Sequence, residues 1–173
     1  EPVITKKTRD FELLEFFIKE GRLPWWVKSD EAPEMAKILV EMMAGEEAKI
    51  KKLLAEIAKQ SAPLQRIVYT AAGPTMEKLV ALFHPGQAKE VYNLSCQLVQ
   101  TLRRCPLFSG IGPAKLRAEI WAAVLSHAFT SRSPDFDSHT VLEHLVTHLA
   151  KAFACDEEAI CSYLGKKGKG LLK

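Results

Sequence analysis

The residues best suited to chemistry gather between positions 139 and 155: His139, Glu143, His144 and His148, with Cys155 further on. His144 and His148 are four apart, which on a helix sets two imidazoles on successive turns at a spacing a metal can bridge. The residues between them are Leu145, Val146 and Thr147. The pair is therefore not H-E-x-x-H, and the glutamate that motif uses as a general base is missing. A helical wheel centred on the apolar residues Leu142, Leu149 and Phe153 puts both histidines on the opposite side. There they are expected to be exposed rather than to converge in a cleft. We read them as surface histidines, and assign no catalytic residue, no metal and no cofactor.

Other short signals fail in their context. Gly110-Ile111-Gly112-Pro113 is too short to cradle a phosphate and ends on a proline with no N–H to offer. Ser95 beside Cys96 lacks the glycines of a nucleophile elbow. Gly165 to Gly170 (GKKGKG) has neither the Ser/Thr nor the preceding strand of a phosphate-binding loop. The four cysteines, Cys96, Cys105, Cys155 and Cys161, include no C-x-x-C pair. Their apolar, helical surroundings point to reduced core or near-core thiols. An enzyme is not what these residues describe.

The elements that carry these residues are helices. Pro and Gly interrupt the chain at short intervals, and between them apolar residues recur at three and four; no alternating strand pattern is found. One stripe is Phe11, Leu14, Phe17 and Ile18, stopped by Gly21. A second is Met35, Ile38, Leu39, Met42 and Met43, with Asp30 as its expected N-cap and Pro33 in its first turn. Ile50, Leu53, Leu54 and Ile57 follow, and then Leu64, Ile67, Val68 and Ala71 behind a Ser61 cap. Met76, Leu79, Val80 and Phe83 make a short helix. Val91, Leu94, Leu98 and Leu102 make a longer one. After a loop over 106–113 come Leu116, Ile120, Val124 and Ala128, widened by Trp121 and Leu125. The helix with Val141, Leu145 and Leu149 is capped by Asp137 or Ser138, and a short last helix holds Ile160 and Leu164. The expectation is an all-α fold: a compact bundle or short α-solenoid of about eight helices. A single domain is expected over 1–164, with a flexible Gly/Lys-rich tail over 165–173.

With 173 residues, 47% of them apolar and 26% charged, the chain can bury one substantial core. Its net charge is only +3, and basic residues are interleaved with acidic ones. That argues against nucleic acid as a partner. No apolar run approaches the roughly 20 residues that span a bilayer, and the charged start has no secretory h-region. We expect a cytoplasmic protein with no membrane partner. The chain opens on Glu1 rather than Met, and we expect it to be a piece of something longer.

The segment Phe11 to Trp26, FELLEFFIKEGRLPWW, is the most specific in the sequence. An amphipathic helix, a glycine stop and then Leu23-Pro24-Trp25-Trp26 resembles the hallmark of the tape measure proteins of bacterial contractile injection systems. Ser61 to Pro85 (SAPLQRIVYTAAGPTMEKLVALFHP) is similar to the same family: a short helix with an arginine near its start, then a second ending in Leu-x-x-Pro. The stretch from Leu116 to Leu164 fits its pattern of a Trp-bearing helix, a polar gap, a long helix and a short one. The resemblance implies a role in assembly, setting or supporting the length of an inner tube and its sheath. It also implies protein partners such as tube or baseplate subunits or further copies of the chain. It brings no catalytic residues.

Length limits what this piece can do. As one helix it would span only roughly 260 Å, and its breaks force it to fold back. It is expected to be a docking or terminal module rather than the ruler itself. A generic groove-binding adaptor unrelated to injection machines is the other reading of successive helix pairs. Leu23, Pro24, Trp25 and Trp26 are the candidate protein-interaction residues. The simplest role for the two indoles is to anchor the first helix in the core. The sharper one keeps one ring free for a partner, since Trp is enriched at binding hot spots; then Trp26 is expected to be more buried and Trp25 more exposed.

Overall fold

A computed structural model describes residues 6–28, 34–71 and 73–167. Among them the chain forms nine α-helices, two short 3₁₀ turns and no strand. The helices are α1 (Lys6–Glu20), α2 (Met35–Gly45), α3 (Glu47–Ile57), α4 (Ser61–Thr70), α5 (Gly73–Phe83), α6 (Ala88–Leu102), α7 (Pro113–Thr130), α8 (Ser138–Ala152) and α9 (Glu157–Lys167).

The centre is α7. Leu116, Ala118, Ile120, Trp121, Ala122, Ala123, Val124, Leu125, Ala128 and Phe129 are all buried, so the helix is covered around most of its circumference. A helix that is apolar on every side belongs in an interior, and the alanines let neighbouring helices come close. Helices α3, α4, α5, α6 and α8 pack directly on it; α1 packs on α4, α2 lies on α1 and α3, and α9 lies on α8. A solenoid repeat touches only the repeats beside it in sequence. Here α7 touches helices from most of the chain, which makes the fold a bundle around one central helix.

The expected stripes build this core. Leu14, Ile18, Ile38, Leu39, Ile50, Leu54, Leu64, Ile67, Met76, Leu79, Val91, Leu98 and Leu102 are buried. The Asp137 cap is present as well: its carboxylate accepts from the Thr140 N–H at 2.8 Å, and the Thr140 hydroxyl accepts from the Asp137 N–H at 3.1 Å. The bond from the Thr140 N–H, first among the causes, holds the Asp137 carboxyl below its usual range.

Four local expectations need correction. Ser61 is not a cap; it already lies inside α4, and Gln60 precedes it without a side-chain bond. The 106–113 loop contains a 3₁₀ turn, Pro106–Phe108, whose Phe108 is buried edge-on against Phe153 at 5.6 Å. Cys161 is exposed, whereas Cys105 is buried and Cys96 and Cys155 are half-buried; all four are free thiols. Helix α9 continues through Lys167, into the stretch expected to be a tail. The Asp30 cap and Pro33 lie outside the described residues.

Candidate protein interface

Helix α1 ends where its sequence says it should. Gly21 takes the left-handed conformation, φ +75, and its N–H closes on the Phe17 carbonyl at 2.9 Å. Only glycine adopts that φ without a steric penalty, hence its place just past a helix end. The last carbonyls of α1 are then left without intrahelical partners. Arg66 on α4 supplies one: its guanidinium Nη1 donates to the carbonyls of Ile18 at 2.8 Å and Lys19 at 3.0 Å. A cation at the negative end of the helix dipole is favourable as well. The guanidinium lies so close over Gly21 that a Cβ there would come 2.7 Å from Arg66 Nε.

This clamp fixes the direction of the next residues. Leu23 and Val27 pack against the core and Pro24 is buried. The Val27 N–H bonds back to the Pro24 carbonyl at 3.1 Å. Trp25 and Trp26 are thus the two central residues of a tight turn whose ends are anchored, and central turn side chains project outward. Trp25 is 91% exposed and Trp26 37% exposed. The expectation that both indoles anchor the core is therefore corrected: Leu23, Pro24 and Val27 are the anchors. The predicted order, Trp26 the more covered, is what the structure shows. Trp26 folds back under the Arg9 guanidinium of α1, 5.2 Å from its ring centre, a cation–π contact that steadies it. Trp25 has no such brace.

Two residues outside the Leu-Pro-Trp-Trp motif belong to this region. Arg66 is one. The other is Tyr69, three residues on along α4 and 60% exposed; residues three apart share a helix face, so it stands on the side of α4 that holds the end of α1. Both fall off the α4 apolar stripe of Leu64, Ile67 and Val68, which is the signal that marks them as outward-facing.

The histidine group is not where the wheel placed it. His148 turns inward, and its Nε2 lies 2.9 Å from Glu119 Oε2 on α7; the Gln65 amide donates to the other Glu119 oxygen at 2.6 Å. Glu119 is buried, so both of its oxygens need partners, and these two side chains provide them. His144 stacks on His127 of α7, ring centres 5.0 Å apart. A wheel assumes one buried face, but α8 packs against α6, α7 and α9, and its covered arc takes in both histidines. His139 pairs with Glu143 at 2.9 Å on the open side of α8. Cys155 instead points its thiol at the Leu149 carbonyl, and burial raises its pKa. The five residues are thus dispersed over separate contacts, and no group of three or more His, Cys, Asp or Glu among the described residues could hold a metal.

No helix among the described residues is long and apolar enough to cross a membrane. The family model described as contractile injection system tape measure protein matches residues 3–166. No curated protein and no solved structure matches the chain.

Proposed function

The chain belongs to the contractile injection system tape measure proteins, and from that premise we propose that it is a non-enzymatic helical docking module supporting assembly and length control of the inner tube and sheath. The Leu23-Pro24-Trp25-Trp26 turn is its partner contact. One observation carries this reading: an indole left 91% exposed on a turn held from three sides, by the Arg66 clamp, by the buried Pro24 and by Arg9 over Trp26. Large apolar side chains presented on rigid supports lose little conformational freedom on binding, which is why such residues dominate interfaces.

The bundle fold supports a docking role over a measuring one. Its longest helix, α7, has 18 residues and so is only about 27 Å long. Length control through such a piece would come from what it binds and where. The partners that fit the family are tube or baseplate subunits or a second copy of the chain. Co-purification of the protein with tube and baseplate subunits tests this: the wild type should retain one of them or self-associate, and Trp25→Ala should lose that association while remaining folded. A wild-type protein that repeatedly associates with neither, nor with itself, counts against the proposal.

A further inference from the structure

All five histidines lie at or after position 84, and three of them meet across a single junction. His84, at the end of α5, is 1% exposed. Its Nε2–H donates to the Ala128 carbonyl of α7 at 2.8 Å. In the neutral ring that bond leaves Nδ1 bare, and Nδ1 is a buried atom without a hydrogen-bond partner. The ring stacks on Phe136, centres 4.0 Å apart. Phe136 is the buried residue of the connector between α7 and α8. His127 is tilted against Phe136 as well, at 5.4 Å, and in turn stacks on His144 of α8.

Neutral His127 has a partner at each ring nitrogen. Thr140 Oγ1 lies 3.1 Å from His127 Nε2 and Ser131 Oγ lies 3.0 Å from Nδ1. The Thr140 hydroxyl hydrogen is committed to the carbonyls of Asp135 and Asp137, so Nε2–H donates to Thr140 and Nδ1 accepts from Ser131. Proton uptake reverses these fits. A second N–H on His84 would sit in a site buried from solvent, where the Ser131 carbonyl is near but makes no hydrogen bond to Nδ1 in the neutral form. One on His127 turns the Ser131 hydroxyl from donor to acceptor at 3.0 Å, so that its hydrogen must find another partner. Charged His127 and His144 would face each other at 5.0 Å in a half-buried space.

We propose that the His84–Phe136–His127–His144 stack is an acid-operated joint, closed when its imidazoles are neutral and released when they are protonated, so that the 131–137 connector and the first turns of α8 loosen from α7 while α1 to α4 stay packed. The surrounding charges do not offset the effect. Asp137 favours a cation on His127. Glu119 is taken by His148 and Gln65, Glu143 by His139, and Glu90 of α6 by the Ser138 hydroxyl. Burial lowers the pKa of His84, His127 and His144, the first cause for each. Neighbouring His144 and His84 lower His127 further, and His148 lowers His144. Groups with a lowered folded pKa contribute stability that is present above their ordinary value of about 6.5 and lost as pH falls through the lowered values. No histidine lies in α1 to α4, and free carboxylates titrate below that window, which confines the response.

Hydrogen exchange on the whole chain at pH 7.5 and 5.5 tests the joint. Protection over residues 127–146 should fall about tenfold or more at the lower pH, with residues 38–68 unchanged. The double substitution His127→Gln, His144→Gln, which leaves only His84 of the stack titratable, should remove most of that difference. Where the double variant does not fold, His144→Gln alone, at a half-buried position, should shrink it. Equal loss in both segments, no loss in either, or a full response in the variants would overturn the proposal.

Discussion

Trp121→Ala should lower the stability of the chain by about 3–5 kcal/mol and its thermal midpoint by on the order of 10 °C. The indole is 2% exposed on the central helix, with Tyr92 tilted against it, ring centres 5.8 Å apart. Alanine would remove most of the ring's buried apolar surface and leave a void that α6 and α7 can close only in part, because α7 is held on several sides at once. Trp121→Phe keeps much of the volume and should recover part of the loss. Equilibrium unfolding of the three proteins checks this. A Trp121→Ala midpoint within a degree or two of the parent would put the indole outside the core.

Gly21→Ala should be destabilising by about 2–4 kcal/mol. Two effects add. An L side chain at φ +75 meets its own carbonyl, a strain of about 1–2 kcal/mol. The new methyl also meets Arg66 Nε at 2.7 Å and makes the guanidinium shift, weakening its bonds to the α1 carbonyls at a further cost of about 1–2 kcal/mol, a part of what hydrogen bonds to a charged group are worth. Arg66→Ala should reproduce the second effect without the first, and the double variant should lose less than the sum because the two share one contact. Gly86→Ala, where an added Cβ meets nothing within 4 Å, should be close to neutral. Chemical denaturation of the four variants separates these outcomes. Equal stability of Gly21→Ala and Gly86→Ala would show that the clamp does not exist.

The two substitutions mark the division between what the sequence tells and what it hides. Trp121 was legible because Leu116, Ile120, Val124 and Ala128 repeat at helical spacing with Leu125 beside them, and periodicity reports burial directly. Asp137 was legible because a cap is a local arrangement. Arg66 over Gly21 joins residues 45 apart in the chain, and no local pattern encodes such a contact; the off-stripe position of Arg66 shows only that it faces outward. The same limit explains the histidines. The wheel rightly found Leu149 buried, but it could not know that α7 would bring Glu119 to His148 and His127 to His144. It also explains the tryptophans. Pro24 signalled a break in the helix, yet whether two adjacent rings turn inward or outward depends on which residues of the turn are anchored, and here these are Leu23, Pro24 and Val27.

On the proposed function, Trp25 is shown to a partner rather than used to hold the fold. The measurement is a paired one on Trp25→Ala: unfolding free energy, and affinity for purified inner-tube and baseplate subunits alongside self-association by sedimentation. Stability should stay within about 1 kcal/mol of the parent, as surface changes usually do. The association that the parent shows should weaken by about 2 kcal/mol or more, the loss expected of a hot-spot tryptophan. A variant that binds as tightly as the parent would contradict the account, as would one whose binding falls only in proportion to the folded protein it has lost.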